Sequence, residues 1–318
     1  MFDALHGSRV FLTGGTGFFG KWLLSLFQKL GTEVVVLSRS PDHFVQQFPM
    51  FGKNRNFTFV RGDVRDFCPP SGRFDYVVHA ATEASEKLER ENPEEMFSVI
   101  TEGTARVLEF SEQAGVKRIL YISSGAVYGR QPPELSHIPE TFPCNPVTVY
   151  GRGKLQAERM CLESGIDAVI ARPFAFVGPW LPLNAHFAIG NFIRNCLRNE
   201  SIEIKGDGTP LRSYMYGSDL AEWLLILLIK GRFGEAYNVG SEDVVSISEL
   251  AQLVCSVCGT DNDVVVGASE NPDVKAASYV PATQKAIGEL ELTLRVGLEE
   301  AIRKTYLWYK NQEKGFVS

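Results

Sequence analysis

No stretch of this 318-residue chain gathers five or more like charges, and the formal net charge is −6. Gripping the phosphate backbone of nucleic acid takes a concentrated basic surface, so that partner is argued against; a small anionic ligand in a local basic pocket is not. Long apolar runs are missing too. The most apolar, Leu220 to Ile229, is interrupted by Glu222 and is too short to cross a bilayer, so it is expected to be a buried helix. Six cysteines lie scattered at 68, 144, 161, 196, 255 and 258. Cys255 and Cys258 form a CxxC, but no second pair or histidine-rich stretch completes a zinc set. The apolar period around it (Ile247, Leu250, Leu253, Val254, Val257) marks buried helical cysteines, and no metal site is expected. No secretory-signal pattern is read, so a reducing, cytoplasmic setting is expected. Repeats, low-complexity segments and a Gly/Ser-rich hinge are absent as well, which predicts lobes joined as one rigid unit around a cleft.

What is present is a globular composition, 44% hydrophobic, with alternating strand-like and helix-like segments in its first half. Short apolar runs at 9–13, 33–37, 57–60, 76–79, 118–122 and 169–171 read as strands. Helices are expected over 19–30 and from Pro93 to about Gln113, with Gly115 as a stop. This alternation predicts an α/β fold with a parallel sheet covered on both faces. After Pro173 the pattern loosens into a smaller lobe assembled from separate pieces, 174–213 and 243–318. The stretch 214–242 is expected to return to the first domain, 1–173.

The turn Thr13-Gly14-Gly15-Thr16-Gly17-Phe18-Phe19-Gly20 sets glycines at 14, 17 and 20 between a strand and a helix. The first permits a tight turn, the second lets backbone approach a pyrophosphate, and the third lets helix pack on strand; dinucleotide binding is the favoured reading. The second strand ends Leu37-Ser38-Arg39 with no acid to hold an adenosine ribose. Arg39 is either a surface residue or a partner for a 2′-phosphate, which tilts the choice toward NADP over NAD. Asp63, after the third strand, is either a hydrogen-bond acceptor for an adenine amino group or a turn aspartate. Ser124, after the fifth strand, either meets a substrate oxygen or caps a turn.

Tyr150 and Lys154 stand four apart, so on a helix they share a face. An ammonium beside a phenol favours the phenolate, which gives a proton acceptor near neutral pH. Gly151 and Gly153 are poor helix formers between them, each costing about 1 kcal/mol relative to alanine. Small residues there would make room for a cofactor, the favoured reading, or for another helix.

The glycines at 14, 17 and 20, Ser124, and Tyr150 with Lys154, in this order, resemble the extended short-chain dehydrogenase/reductase family. The likeness is nearest to its nucleotide-sugar epimerases and dehydratases. Further matching pieces are Gly62-Asp63-Val64, His79-Ala80-Ala81, Gly103-Thr104, Ala171-Arg172-Pro173 and Arg212-Ser213. The resemblance implies a Rossmann domain and a discontinuous C-terminal lobe gripping a nucleoside diphosphate-sugar. It assigns Thr16, Gly17, Phe18, Phe19, Ser38, Arg39, Asp63, Val64, Ala80, Ala81 and Pro173, with Tyr150 and Lys154, to an NAD(P) site. Tyr150 would take a proton from a sugar hydroxyl, Lys154 would hold the nicotinamide ribose and lower the tyrosine pKa, Ser124 would bond the reacting oxygen, and Arg212 would pair with the diphosphate. A homodimer through helices near 94–113 and 150–163 is implied.

Departures from the pattern narrow the reaction. The family's dehydratases carry an acidic pair after the serine and its decarboxylases a glutamate; here stand Gly125 and Ala126. The frequent asparagine before Gly103 is Ile100, and a second diphosphate-binding arginine is Asn271. Epimerisation at C4 of a hexose is therefore the leading expectation, and reduction of a 4-keto-sugar with NADPH follows. A binding protein without turnover is disfavoured by the intact Ser124, Tyr150 and Lys154.

Overall fold

The computed structural model describes every residue except 1, 83–85, 186, 269–276 and 316–318, with side chains up to 312. Six strands rise in chain order, β1 (Arg9–Thr13), β2 (Glu33–Ser38), β3 (Phe57–Arg61), β4 (Tyr76–His79), β5 (Arg118–Ile122) and β6 (Asp167–Pro173). The later strands are short: β7 (Phe176–Val177), β8 (Ile202–Ile204), β9 (Leu211–Arg212), β10 (Met215–Tyr216), β11 (Ala236–Val239), β12 (Val245–Ser246), β13 (Val264–Val266) and β14 (Ser278–Tyr279). Helices are α1 (Phe18–Leu30), α2 (Pro41–Gln47), α3 (Pro49–Gly52), α4 (Glu86–Glu91), α5 (Pro93–Gln113), α6 (Val149–Glu163), α7 (Ala188–Arg198), α8 (Gly217–Lys230), α9 (Ile247–Cys258), α10 (Gln284–Leu290) and α11 (Leu298–Gly315).

Seven strands form one parallel sheet in the order β11-β6-β5-β4-β1-β2-β3. The order reverses beside β1, and the carboxyl ends there open a crevice at the topological switch point. The sheet is doubly wound. On one face Leu24 and Phe27 of α1 and Leu224 and Leu227 of α8 join Val10, Val36 and Leu120. On the other, Val107 and Phe110 of α5 pack with Phe11, Val77 and Ile119. Such two-sided burial is why these strands read as continuous apolar runs rather than alternating ones. Among the described residues, no helix is long and apolar enough to cross a membrane.

Local signals set the helix ends. Asn92 caps α5 by accepting from Glu95 N–H at 3.2 Å, with Pro93 at the first helical position. Thr148 caps α6 through Gly151 N–H at 3.0 Å, and Ser246 with Glu249 closes a capping box on α9. Strand β6 runs to Pro173, two residues past the expected end. It continues through Arg172 because Glu158 neutralises that side chain inside the protein.

The second lobe has its own core, in which Ile189 and Ile193 of α7, Leu250 and Val254 of α9, and Ile302 of α11 meet. Its small ladders were not legible in the chain: β8 pairs with β13, β7 with β10, and β9 lies between β12 and β14. Cys255 is buried on α9 as expected, whereas Cys258 is only half-buried, which corrects the expectation there.

Candidate active site

The crevice is a cavity of ≈ 720 Å³ running from the β1–α1 turn to α6. Gly14 takes φ +71°, and a Cβ on it would stand 2.5 Å from the Ala80 carbonyl carbon. A Cβ on Gly20 would stand 2.3 Å from Gly15 Cα, so the start of α1 packs on the glycine turn as closely as backbones can. At Gly17 a Cβ would meet the Gly14 carbonyl oxygen, 3.3 Å away. Gly17 also begins α1 without a side-chain cap, leaving the amides of the first turn, at Phe18 and Phe19, without an intrahelical partner at the cavity wall. This is a cradle that any side chain would fill, with a helix N-terminus suited to phosphate, and it fits a dinucleotide pyrophosphate.

Farther along the wall lie Thr16, Ser38, Arg39, Asp63 and Val64, then Ala80, Ala81 and Pro173. Asp63 proves to be a turn aspartate as well: Oδ1 accepts from Arg65 N–H at 3.0 Å and from Arg65 Nε at 2.9 Å. The Arg65 hydrogen bonds hold its carboxyl below the usual range. Oδ2 accepts a longer bond from Arg65 Nη2, at 3.3 Å.

At the other end stand Ser124, Tyr150 and Lys154, all on the cavity wall. Ser124 caps a turn and lines the cavity. Its Oγ accepts Ala126 N–H at 3.1 Å, capping the short turn Gly125–Tyr128, and Tyr150 stands on the same wall. Lys154 departs from expectation. Its Nζ donates to the Ile122 carbonyl at 2.7 Å and to Thr82 Oγ1 at 2.6 Å, and it lies 5.8 Å from the Tyr150 ring centre. Burial lowers the ammonium to about 7. It also pushes the Tyr150 phenol up to about 12, opposed by the nearby Ser124 hydroxyl, so the phenol is not acidified by the lysine here. The reason is geometric: the shared helix face brings the stems together, but the carbonyl end of β5 captures the charge.

The glycines between them serve neighbours rather than a ligand. A Cβ on Gly153 would press Ile100 of α5 at 3.0 Å, and one on Gly151 would meet the Ala126 carbonyl at 2.7 Å. Ile100, in the place of an expected asparagine, is that helix contact.

Behind the wall, two buried networks fix the site. His79 Nδ1 lies 2.7 Å from Thr13 Oγ1, and its Nε2 lies 3.0 Å from Thr104 Oγ1. Thr104 donates to the Ile100 carbonyl at 2.6 Å and Thr13 accepts Ala81 N–H at 3.1 Å. Each hydroxyl has one hydrogen, so His79 is neutral with its proton on Nε2. Desolvation lowers it to about 3, followed by the nearby Lys154 charge. Second, Arg172 donates to both oxygens of Glu158, at 3.0 and 2.6 Å, and to Tyr128 Oη at 2.9 Å. Ser123, next to Ser124, also donates to Glu158, and Tyr128 passes a bond to Asn238 at 2.8 Å.

Two expected site residues lie off the cavity. Gly20 is structural, as above. Arg212 donates to the Leu211 and Ala277 carbonyls, at 2.8 and 2.9 Å, and does not line the cavity. Asn271 falls outside the described residues. Sequence reasoning missed Thr82, Phe174 and Tyr279. The last arrives from β14, far along the chain, where no periodicity or spacing announces a site residue.

A family model described as the NAD dependent epimerase/dehydratase family matches residues 10–240. The chain belongs to that family. Across it, UDP-glucuronic acid decarboxylase 1 of Xenopus tropicalis is 28% identical over 320 residues, covering 96% of this chain and 72% of that one. The UDP-glucose 4-epimerase of Thermotoga maritima, solved with UDP-glucose, superposes with TM-score 0.84 at 25% identity, covering 96% and 99% of the two chains. MoeE5, solved with UDP-glucose and NAD, does so with TM-score 0.82 at 26% identity over 96% and 99%. Like these relatives, the chain is an enzyme of the epimerase/dehydratase family, similar to members with different reactions.

Proposed function

We propose that this enzyme epimerises a nucleoside diphosphate-sugar, using NAD(P) and working through transient oxidation at C4 of the hexose. The carrying observation is that Ser124, Tyr150 and Lys154 line one cavity wall beside Gly125, a position with no side chain and hence no acid. Elimination and decarboxylation need an acidic group there, and the decarboxylase name of the Xenopus relative is not transferred for that reason. Oxidation followed by return to the other face needs only a base, an oriented hydroxyl and space.

The backbone amides at 17–20, with Ser38, Arg39 and Asp63, would hold the dinucleotide, and Ala80, Ala81, Lys154 and Pro173 its nicotinamide half. Bound there, the nicotinamide would take up and return the hydride. Tyr150 Oη receives the proton from the sugar hydroxyl. Ser124 bonds the same oxygen and the phenol, holding the donor in line with the acceptor. The nicotinamide's positive charge at this wall would lower the phenol from the raised value that burial alone imposes. The same reading puts a second copy of the chain against α5 and α6, beside exposed Phe97, Val147 and Leu162.

The test is conversion of UDP-glucose to its C4 epimer. Tyr150→Phe is expected to cut turnover about a hundredfold to ten-thousandfold while dinucleotide binding survives. Unchanged turnover in that variant would falsify the mechanism. One observation favours a second reading: Ser38 and Arg39, without an acid, face the adenosine end, which suits a dissociable NADPH and a 4-keto-sugar reductase. Mass spectrometry of what leaves the freshly purified, acid-denatured protein separates the two. Stoichiometric NAD supports the epimerase, and an empty protein that prefers NADPH supports the reductase.

A further inference from the structure

The Lys154 ammonium has three hydrogens, and two of them are committed within the protein. One goes to the Ile122 carbonyl at 2.7 Å and one to Thr82 Oγ1 at 2.6 Å. Among the described residues no third acceptor takes the last, and both Lys154 and Thr82 line the cavity. The direction of the threonine bond is fixed by its neighbour. Thr82 Oγ1 donates its one hydrogen to the Ala81 carbonyl at 2.7 Å, so toward Lys154 it can only accept. The backbone that presents Thr82 is itself pinned from behind. Ala81 donates its N–H to Thr13 Oγ1 at 3.1 Å, and Thr13 bonds His79 of the buried cage at 2.7 Å.

We propose that Thr82 is a positioning residue for Lys154: its hydroxyl joins the Ile122 carbonyl in holding the ammonium charged inside the wall and leaves the third hydrogen to the cavity. There the hydroxyls of a nicotinamide ribose would take it, so the inference rests on the role proposed above for Lys154. Burial works against the charge, lowering Lys154 to about 7, and each acceptor lost lowers it further. The titratable groups that face the ammonium come from four elements. Glu158 and Cys161 stand on its own helix, and the Tyr150 and Tyr121 rings lie 5.8 and 5.0 Å away. His79 stands on β4, and Glu86 and Glu89 of α4 share the cavity wall. Glu158 is tied to Arg172. Burial keeps the Cys161 thiol and both phenols protonated and His79 neutral, so none of those four changes charge near pH 7.

The test is Thr82→Val, which keeps the shape and removes the acceptor, with Thr82→Ser as the conservative partner. In the full chain, freed of dinucleotide and carrying isotope-labelled lysine, the Lys154 resonance is assigned by its loss in Lys154→Arg and followed by NMR against pH. The midpoint is expected about one pH unit lower in Thr82→Val, the effect of one hydrogen bond lost from a charged form, and unchanged in Thr82→Ser. Thr82→Ala, which places no bulk in the wall, should lower it as Thr82→Val does. Dinucleotide affinity of the unmodified protein should fall as pH rises through the Lys154 midpoint, and in Thr82→Val that fall should begin about one pH unit lower. An unmoved or raised midpoint in Thr82→Val and Thr82→Ala overturns the proposal. So does an equal drop in Thr82→Ser, because the hydroxyl would then not be the group that holds the charge. The NMR titration needs neither dinucleotide nor sugar. A lowered midpoint without the matching change in dinucleotide affinity would therefore count against the ribose-holding role of Lys154 and leave the hold of Thr82 on its charge standing.

Discussion

The two walls of the cleft are built on opposite principles. The sheet wall takes its site residues from consecutive β–α junctions: the glycine turn after β1, Ser38 and Arg39 after β2, Asp63 after β3, Ala80 and Ala81 after β4, Ser124 after β5. Each sits where a strand ends, so the parallel sheet aligns them without further design. The opposite wall brings Leu181, Pro182 and Phe187 from one segment and Tyr279 from another, the last on a two-residue strand held by a glutamine, a backbone bridge and a ring contact. The contrast teaches that the dinucleotide half is fixed by fold, whereas the residues facing it across the cleft are placed by contacts between lobes.

That contrast can be broken at several points. The largest effect is expected from Glu158→Ala, which strands the buried Arg172 charge behind the sheet wall. A loss of about 3–5 kcal/mol in denaturant unfolding is expected, with Ser124 misplaced as a consequence. If Glu158→Ala were neutral, the sheet wall would not be the rigid member. Next comes Gly125→Ala, whose Cβ would press both Tyr279 and Phe174 at 2.7–2.8 Å. Turnover should fall about a hundredfold through misplacement of the reacting groups, with dinucleotide affinity unchanged in a binding titration. A parallel loss of affinity would erase the division between the walls.

Smallest near neutral pH, and growing only on acidification, is a pH effect confined to the sheet wall. His79 falls from its ordinary 6.5 to about 3 in the folded protein. Between those values the unfolded chain binds more protons, so stability rises with pH and is lost as pH drops through that window, by about 1.4 kcal/mol per pH unit. Thermal melts should therefore steepen in their decline below pH 6.5, and His79→Gln should flatten that decline. Equal slopes would show that His79 is protonated on both nitrogens in its cage.

How much was legible follows the same division. The strands at 9–13, 76–79 and 118–122 were readable because burial on both faces leaves unbroken apolar runs, and the glycine turn because only glycine tolerates its φ and its contacts. The reading of Gly151 and Gly153 as cofactor room failed, since the spacing cannot say which neighbour presses on a helix; here it is Ile100 and the Ala126 carbonyl. The lysine was misjudged for a related reason. Spacing places stems on a face, but the competing acceptors at Ile122 and Thr82 belong to other elements.

By itself, then, the sequence determined the doubly wound sheet, the phosphate turn and the order of Ser124, Tyr150 and Lys154, because each depends on local periodicity or on the steric needs of one residue. Only the tertiary structure decided which way the Lys154 charge points, that Arg212 stays off the cavity wall, and that Tyr279 lines it. Those outcomes depend on partners from distant segments, which meet only when the lobes pack.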